Sequence, residues 1–181
     1  GLKIGPFGSQ LKTEMLNEEG VYKVYGQENV INRNFSCGNR FIDDEKFSEL
    51  SVYEIKPGDL LITMMGTSGR CDVVPTNVDQ GIMDSHLLRI RVNKKIQACF
   101  VRLLIDEAVY VVVQVQLAGK GSIMHGLNSS IVKDLLLILP PLPEQTRIAE
   151  FLDCETAKID QLVAEAENAI TFLQERRSAL I

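Results

Sequence analysis

Residues 139–153 of this 181-residue chain read LPPLPEQTRIAEFLD and join two regions with different residue patterns. Proline fixes φ and lacks a backbone N–H, so Pro140 and Pro141 should end any strand or helix that precedes them. Pro143 is tolerated at the first position of a new helix, and the acidic and polar residues after it suit a first helical turn. The stretch therefore predicts a rigid joint between a domain over residues 1–142 and a helix over residues 143–181.

The segment after Pro143 contains no further proline and no glycine. Apolar residues recur along it with the spacing of a heptad seam, namely Ile148, Leu152, Ile159, Leu162, Val163, Ala166, Ile170, Leu173 and Leu180. With a rise of 1.5 Å per residue, the helix would be about 55 Å long, too long to bury its seam on one small domain. We therefore predict a coiled-coil type helix that pairs with a helix of another copy or another chain. The alternative is a helix folded back along its own domain.

Composition favours a folded protein without a membrane span. Hydrophobic residues make up 45% of the chain, enough for a core, and no apolar run reaches the length of a transmembrane helix. The four cysteines are widely spaced, which indicates reduced thiols of a cytoplasmic protein rather than a zinc knuckle. The two histidines, His86 and His125, lie far apart in sequence, so we expect no metal site and no cofactor.

The negative charge is concentrated near the C-terminus. The net charge is −5, and from Pro143 onward four Lys and Arg stand against eight Asp and Glu. The first 142 residues are close to neutral, and this net charge does not exclude a local basic surface on them. The chain offers no pattern of a catalytic triad, a nucleotide-binding loop or a methyltransferase motif. We therefore predict a protein that is not an enzyme.

Residues 1–142 predict an α+β fold, mostly β and twisted, with short helices. A turn should lie at Lys56–Asp59, a loop at Phe35–Phe41 and a helix at Ile96–Val111, and Asn128 should cap a short helix. The predicted strands are 21–25, continued by 26–31, then 60–65, 71–75, 87–92 and a last strand at 135–139.

Several stretches carry a resemblance to a known family. In chain order they are Ile4–Leu11 (IGPFGSQL), Pro57–Ile62 (PGDLLI), Gly81 with Leu87–Ile90, Gly121–Ser122, and Leu139–Gln145 with Arg147–Ala149 and Ile159–Asp160. Together they cover nearly the whole chain, and the Leu139–Gln145 stretch with its helix is the most specific. The chain resembles one half of a type I restriction–modification specificity subunit, which is a target recognition domain followed by one long helix.

The resemblance implies a non-catalytic DNA-recognition subunit that reads one part of a bipartite target in double-stranded DNA. In that family two such halves are paired, and their antiparallel helices set the spacer between the two parts of the target. Methyltransferase subunits, and a restriction subunit in the full complex, supply the catalysis. This chain has one domain and one helix, so it is either a fragment or a half-sized subunit that forms a homodimer through the helix.

DNA contacts require Arg or Lys for phosphate and guanine, and Asn or Gln for adenine. The candidates are polar side chains of one predicted strand face and of three polar or glycine-rich stretches, namely Lys23, Tyr25, Gln27, Arg33, Asn39, Arg40, Thr67, Ser68, Arg70, Lys120, Ser122, His125 and Asn128. The acidic net charge motivates a second hypothesis. In it, the chain is a coiled-coil interaction module that regulates such a complex without reading DNA.

Overall fold

The computed structural model describes residues 1–66, 69–119 and 127–179. The strands in this described part are β1 Leu2–Ile4, β2 Tyr22–Tyr25, β3 Phe41–Ile42, β4 Leu60–Thr63, β5 Cys71–Val73, β6 Gly81–Met83 and β7 Leu87–Ile90. Its α-helices are α1 Gln27–Ile31, α2 Asp44–Leu50, α3 Ala98–Glu107, α4 Val109–Gly119, α5 Ser129–Asp134 and α6 Leu142–Ser178. Short 3₁₀ turns lie at Thr13–Met15 and Ser51–Tyr53. The expected α+β class, with a long C-terminal helix, is confirmed.

The strands form two sheets. One is antiparallel with the order β1-β7-β4-β5, and the other has the order β3-β2-β6. In the second sheet β2 pairs antiparallel with β3 and parallel with β6, placing Val24 opposite Ile82. We call the domain formed by both sheets and α1–α5 the head.

Strand β4 is buried on both of its faces, which explains its apolar run Leu60–Ile62. Leu60 and Ile62 pack with Val101 and Ile105 of α3 in one core. Leu61 points the other way, into a second core with residues of β2, β6 and α2. Because side chains alternate along a strand, β4 lies between two cores: one beneath the helices and one beneath the three-stranded sheet.

The prediction that residues 26–31 continue the strand is wrong, since Gln27–Ile31 form α1. Gly26 precedes the helix with extended backbone, and its N–H donates a hydrogen bond of 2.9 Å to Asn29 Oδ1. The N–H of Asn29 donates in return to Gly26 O at 3.1 Å, so these backbone groups bond within the turn instead of with a neighbouring strand. Asn29 also donates from Nδ2 to the carbonyls of Asn34 and Cys37, which folds the following loop against the helix.

The predicted single helix over 96–111 is two helices, broken at Ala108, whose backbone is extended with ψ 113°. Ile105 of α3 and Val111 of α4 both belong to the same core. Six residues of uninterrupted helix would turn the chain by about 600° and place these two side chains on different faces. The break at Ala108 lets both side chains face the sheet.

The predicted strand at 135–139 is extended but pairs with no strand among the described residues. The side chain of Gln114 on α4 replaces the missing partner: Oε1 accepts from Leu136 N at 2.9 Å, and Nε2 donates to Leu136 O at 3.1 Å. Tyr110 Oη accepts from Ile138 N at 3.2 Å. The periodicity was strand-like because Leu135 and Leu137 face the core while Leu136 and Ile138 are exposed.

Helix α6 begins at Leu142, one residue earlier than predicted, and leaves the head after a few turns. Gln145 and Ala149 are buried and Ile148 is half-buried, whereas the later seam is open: Leu152, Ile159, Leu162, Val163, Ala166, Ile170 and Leu173 are all exposed. Leu180 lies outside the described residues. Within the described part of the chain the seam does not fold back on the head, which contradicts the alternative of a helix packed along its own domain.

Two further findings concern membrane spans and cysteines. No helix among the described residues is long and apolar enough to cross a membrane. All four cysteines are free thiols.

We predict that Gly81→Ala lowers the free energy of unfolding by about 2 kcal/mol or more. A Cβ on Gly81 would lie 2.0 Å from the backbone oxygen of Lys23, its partner in the parallel pair, and a backbone atom cannot move aside cheaply. Urea unfolding followed by circular dichroism measures the change. Gly8→Ala is the control, because nothing lies within 4 Å of a Cβ there. Equal midpoints for the two variants would contradict the parallel β2–β6 register.

Candidate nucleic-acid interface

Three separate chain segments meet where β4 ends, at Met64 and Met65. The N–H of Met64 donates to His86 O at 2.9 Å, and Met64 O accepts from Leu127 N at 2.9 Å. The N–H of Met65 donates to Gln27 Oε1 at 3.0 Å, which ties this loop to α1. We call Met64–Gly66 with these contacting residues the β4 exit. It brings the segments that contain Gln27, His86 and Leu127 side by side.

Arg33 and Arg70 converge beside the β4 exit on one carboxylate. Arg33 Nη2 lies 2.9 Å from Asp106 Oδ2, and Arg70 Nη1 lies 3.3 Å from Asp106 Oδ1. The Asp106 side chain, at the end of α3, is only 1% exposed, so the two guanidinium groups cover it. Arg33 has a φ of 50°, a left-handed conformation that is uncommon for a residue with a side chain. Two residues distant in sequence are thereby held next to each other.

Arg40 is held in the same manner from the other side of α1. Its Nη2 lies 2.6 Å from Glu28 Oε1 and its Nη1 lies 3.2 Å from Asp84 Oδ2. The bridge passes directly over Gly26, where a Cβ would lie 2.1 Å from Arg40 Nη2. Asp84 Oδ1 also accepts from the backbone N–H of His86, which orders the turn that leads into β7.

The paired arginines keep part of each guanidinium available. The side chains of Arg33, Arg70 and Arg40 are 46%, 42% and 32% exposed. A guanidinium has five N–H donors, and one or two contacts to a carboxylate leave others for a phosphate or a guanine edge. Partial burial lowers the pKa of Arg33, but the hydrogen bond and charge of Asp106 outweigh it, so the pKa is raised overall. The ion pairs therefore orient the three arginines.

The prediction that Lys23 and Tyr25 contact DNA is corrected, because the structure buries both side chains. Lys23 is 3% exposed and its Nζ donates to the carbonyls of Phe35 at 3.1 Å and Ser36 at 2.9 Å. Tyr25 Oη donates to Asp79 O at 2.8 Å, and burial, with the nearby Asp79 charge, raises the pKa of Tyr25. Alternation placed them correctly on one strand face, but that face is covered by the 35–36 loop. Neither can contact DNA in this conformation.

The other predicted DNA-contacting residues differ in exposure and in their hydrogen bonds. Gln27 is half-buried with its Oε1 committed to Met65 N, and Asn39 is exposed. Asn128 is exposed and its Oδ1 accepts from Ser130 N and Ile131 N at 3.0 Å each, so the predicted helix cap is confirmed. Thr67, Ser68, Lys120, Ser122 and His125 lie outside the described residues. Gln27, Asn39 and Asn128 stay candidates together with the three arginines.

Sequence reasoning missed the acidic half of this surface and one histidine. Glu28, Asp84 and Asp106 position the arginines, and His86, with its side chain 49% exposed, lies at the β4 exit 3.8 Å from Asp84. The sequence pattern raises His86 only as a candidate metal ligand and not as a DNA-contacting residue. No sequence signal links Asp106 to Arg33, because they are far apart in the chain and meet only through packing.

A polar pocket of about 230 Å³ opens beside Arg33, lined by residues 33–36, 72–73, 75 and 77–79. Pockets for small organic ligands usually have about 300–1,000 Å³ and mostly apolar walls, so this one does not indicate a small-molecule site. Among the described residues no group of three His, Cys, Asp or Glu side chains is placed to hold a metal ion.

Comparison with known proteins gives a consistent result. A family model described as the type I restriction modification DNA specificity domain matches residues 4–171. Comparison with curated proteins found no match.

Three solved structures share the fold. One, from work on complex assembly and conformational transition of the type I R-M system, aligns with a TM-score of 0.68 at 17% identity over 92% of this chain. The HsdS subunit from Thermoanaerobacter tengcongensis gives 0.62 at 18% identity over 90%, and the S subunit of a type I restriction-modification system from M. genitalium gives 0.55 at 15% over 89%. This chain spans only 38%, 36% and 37% of those chains.

Asp72, in the wall of the polar pocket, makes stability depend on pH. Burial raises the pKa of Asp72, although the Val73 N–H and nearby arginines act in the opposite direction. The folded chain thus holds this proton more tightly than the unfolded chain, so stability falls as pH rises through the two pKa values. We predict that Asp72→Asn raises the free energy of unfolding at about pH 7 and has little effect at about pH 3. Urea unfolding at both pH values tests this.

Glu18→Gln, at an exposed bend, changes the net charge equally and is the control. If both variants shift stability alike, net charge is responsible. A loss of stability in Asp72→Asn at about pH 7 would also contradict the prediction.

Proposed function

The chain belongs to the type I restriction modification DNA specificity domain family, and we propose that its head reads one part of a bipartite DNA target. The helix α6 would set the distance to the second part and offer a docking site for methyltransferase subunits. In this proposal the chain itself performs no catalysis, which the methyltransferase and restriction subunits supply.

The observation that carries the proposal is the set of oriented arginines around the β4 exit. Arg33 and Arg40, between α1 and β3, and Arg70, just before β5, lie around the end of the sheet where β4 exits, and each is paired with a carboxylate. Preorganised side chains lose less conformational entropy on binding than free ones do. A face of this kind suits selective readout, in which position and hydrogen-bond geometry decide the partner.

The ion pairs also limit non-specific attraction. Affinity for any DNA sequence arises mainly from uncompensated positive charge that displaces counterions from phosphates. At the β4 exit the charges of Asp84, Glu28 and Asp106 offset much of the arginine charge. Neighbouring amides and His86 can add contacts to base edges, where sequence is read. We therefore expect moderate affinity with a high ratio of specific to non-specific binding.

The free part of α6 supports the second element of the proposal. Its exposed apolar seam needs a partner helix, and a homodimer would bring two heads to the two parts of a target. The same architecture serves a longer subunit with a second head of its own.

The second candidate function is an interaction module that joins such a complex through α6 without reading DNA. The net charge of −5 and the pairing of every described arginine at the β4 exit favour it. The two candidates differ in whether the complex changes its target when this chain is present.

A mobility-shift experiment separates them. The chain, assembled with its methyltransferase subunit, is incubated with a pool of bipartite DNA targets of randomised sequence, and bound DNA is sequenced. We expect an enriched half-site that depends on this chain. Enrichment that is the same without the chain would support the interaction module, and no enrichment at low and moderate salt would refute DNA reading.

Arg70→Gln tests the role of the β4 exit in the same assay. It leaves the Arg33–Asp106 pair in place, so the head should stay folded. We expect an affinity loss of about tenfold and a salt slope of log K that is shallower by about 0.9. Lys56→Gln is the control, because Lys56 lies in the turn before β4, at the other end of the strand. Equal losses in both variants would mean that the β4 exit is not the DNA-contacting face.

The apolar seam of α6 predicts how substitutions change the oligomeric state. Ile159→Glu with Leu173→Glu should convert a homodimer into a monomer in light scattering, since each buried side chain contributes about 1.5–3 kcal/mol. The control pair, Ala157→Glu with Thr171→Glu, has the same spacing on a face rotated by about 200°. A dimer that survives in the seam variant would show that the seam does not hold the pair together.

A further inference from the structure

The joint between the head and α6 contains a buried polar side chain that the proline pattern did not reveal. Gln145 is 2% exposed, and its amide forms hydrogen bonds with three backbone groups of the head. Its Oε1 accepts from Gln97 N at 3.0 Å, and its Nε2 donates to Pro140 O at 2.7 Å and Lys95 O at 3.3 Å. Gln97 in turn caps α3 by accepting from Phe100 N. The first turn of α6 is thus bonded to the start of α3.

A second attachment lies farther along α6. Arg102 of α3, whose side chain is mostly buried, places Nη2 3.2 Å from Asp153 Oδ1. Gln145 and Asp153 are eight residues apart, or about 12 Å along the helix axis. Between them Ala149 is buried and adds no bulk, so α6 can lie close to the head. One attachment would act as a pivot, whereas two separated attachments fix the direction of the helix.

The direction matters because the rest of α6 is a long lever. Every residue from 156 to 179 is exposed, so no other contact with the described part of the head supports it. The distance from Asp153 to Ser178 is about 38 Å, and a rotation of about 10° at the joint moves the far end by about 6–7 Å. Base pairs are about 3.4 Å apart, so that error equals about two base pairs. A helix that measures a spacer therefore needs a stiff joint.

We propose that Gln145, with the Arg102–Asp153 pair, is a positioning residue that fixes the angle between head and helix and thereby decides which spacer length is accepted. The spacer part rests on the proposed function, whereas the angle is a property of the chain alone. Glutamine suits the position because its amide provides one acceptor and two donors for one N–H and two carbonyls. A glutamate would lose both donors, and a methionine would keep the volume but lose all three hydrogen bonds.

The angle is measured by pulsed electron paramagnetic resonance on the full chain. Spin labels are attached to Ser48→Cys on α2 and Gln174→Cys near the end of α6, with Cys37, Cys99 and Cys154 replaced by serine. Labelled chain is diluted with unlabelled chain so that only distances within one chain contribute. We expect one narrow distance distribution in the parent protein and a broadened or shifted distribution in Gln145→Met.

Gln161→Met is the matched control, because Gln161 lies on the free part of the same helix and bonds only to Glu165 in the described contacts. Its distribution should superimpose on that of the parent. Asp153→Asn is a second test that spares the core, since the Asp153 side chain is 55% exposed. It should broaden the distribution less than Gln145→Met. Circular dichroism confirms that each variant is folded, and unchanged distributions in both joint variants would overturn the proposal.

The spacer part is tested with bipartite targets that differ by single base pairs in spacer length. In Gln145→Met the ratio of affinities for adjacent spacer lengths should approach one, while affinity for an isolated half-site stays unchanged. A merely structural role would weaken half-site binding and leave the preferred spacer the same, which would overturn the proposal. If the parent protein reads no DNA, the proposed function fails, and the distance measurement still decides whether Gln145 fixes the angle.

Discussion

The structure depends on one constraint, the burial of β4 on both faces. A strand of four residues that is covered by helices on one side and by a second sheet on the other buries every side chain. Leu60, Leu61 and Ile62 are apolar, and the hydroxyl of Thr63 forms hydrogen bonds with the backbone of Arg70. The burial of β4 also determines which core each residue of the neighbouring strand β7 enters. Leu61 and Leu87 help to fill the core between the sheets, while Leu60, Ile62 and Leu88 help to form the core beneath α3 and α4. Each core contains one side of the strand, so the two cores share β4.

The same constraint positions the surface proposed to read DNA. A strand fixed by two cores cannot shift, so the residues that leave it at Met64 and Met65 are fixed as well. Their backbone groups accept or donate hydrogen bonds to three other segments. The arginines around them are then aligned by carboxylates from the same packed elements, above all by Asp106 at the end of α3. Rigid support of this kind is what a site on loops requires if its geometry is to discriminate between partners.

The ion pairs at the β4 exit and the hydrogen bonds at the base of α6 both fix the position of groups that are proposed to act on DNA. At the β4 exit, ion pairs reduce attraction to any phosphate backbone and leave recognition to the placement of a few donors. At the joint, Gln145 and the Arg102–Asp153 pair restrict the direction in which the long helix α6 leaves the head. In both places buried polar groups contribute geometry more than stability, since the desolvation of charged or polar groups offsets much of what their contacts gain.

The sequence by itself determined the elements whose signals are local. Prolines at 140, 141 and 143 marked the joint, the heptad pattern gave a long helix with an unpaired seam, Pro57 and Gly58 marked a turn, and Asn128 marked a cap. These features depend on φ restriction and side-chain periodicity, which neighbouring residues encode. The resemblance of short stretches to a family added the class of protein.

Only the tertiary structure decided which polar residues were available. Lys23 and Tyr25 were expected on the surface because they alternate on one strand, but the loop at residues 35 and 36, 12 and 13 residues after Lys23, covers that face. The strand expected at 135–139 found side chains of α4 instead of a neighbouring strand, and the helix expected at 96–111 broke so that Ile105 and Val111 could reach one core. Arg33, Arg70 and Asp106, and likewise Gln145 with Gln97, meet across long sequence separations. Such contacts are set by the packing of whole elements, which no local pattern records.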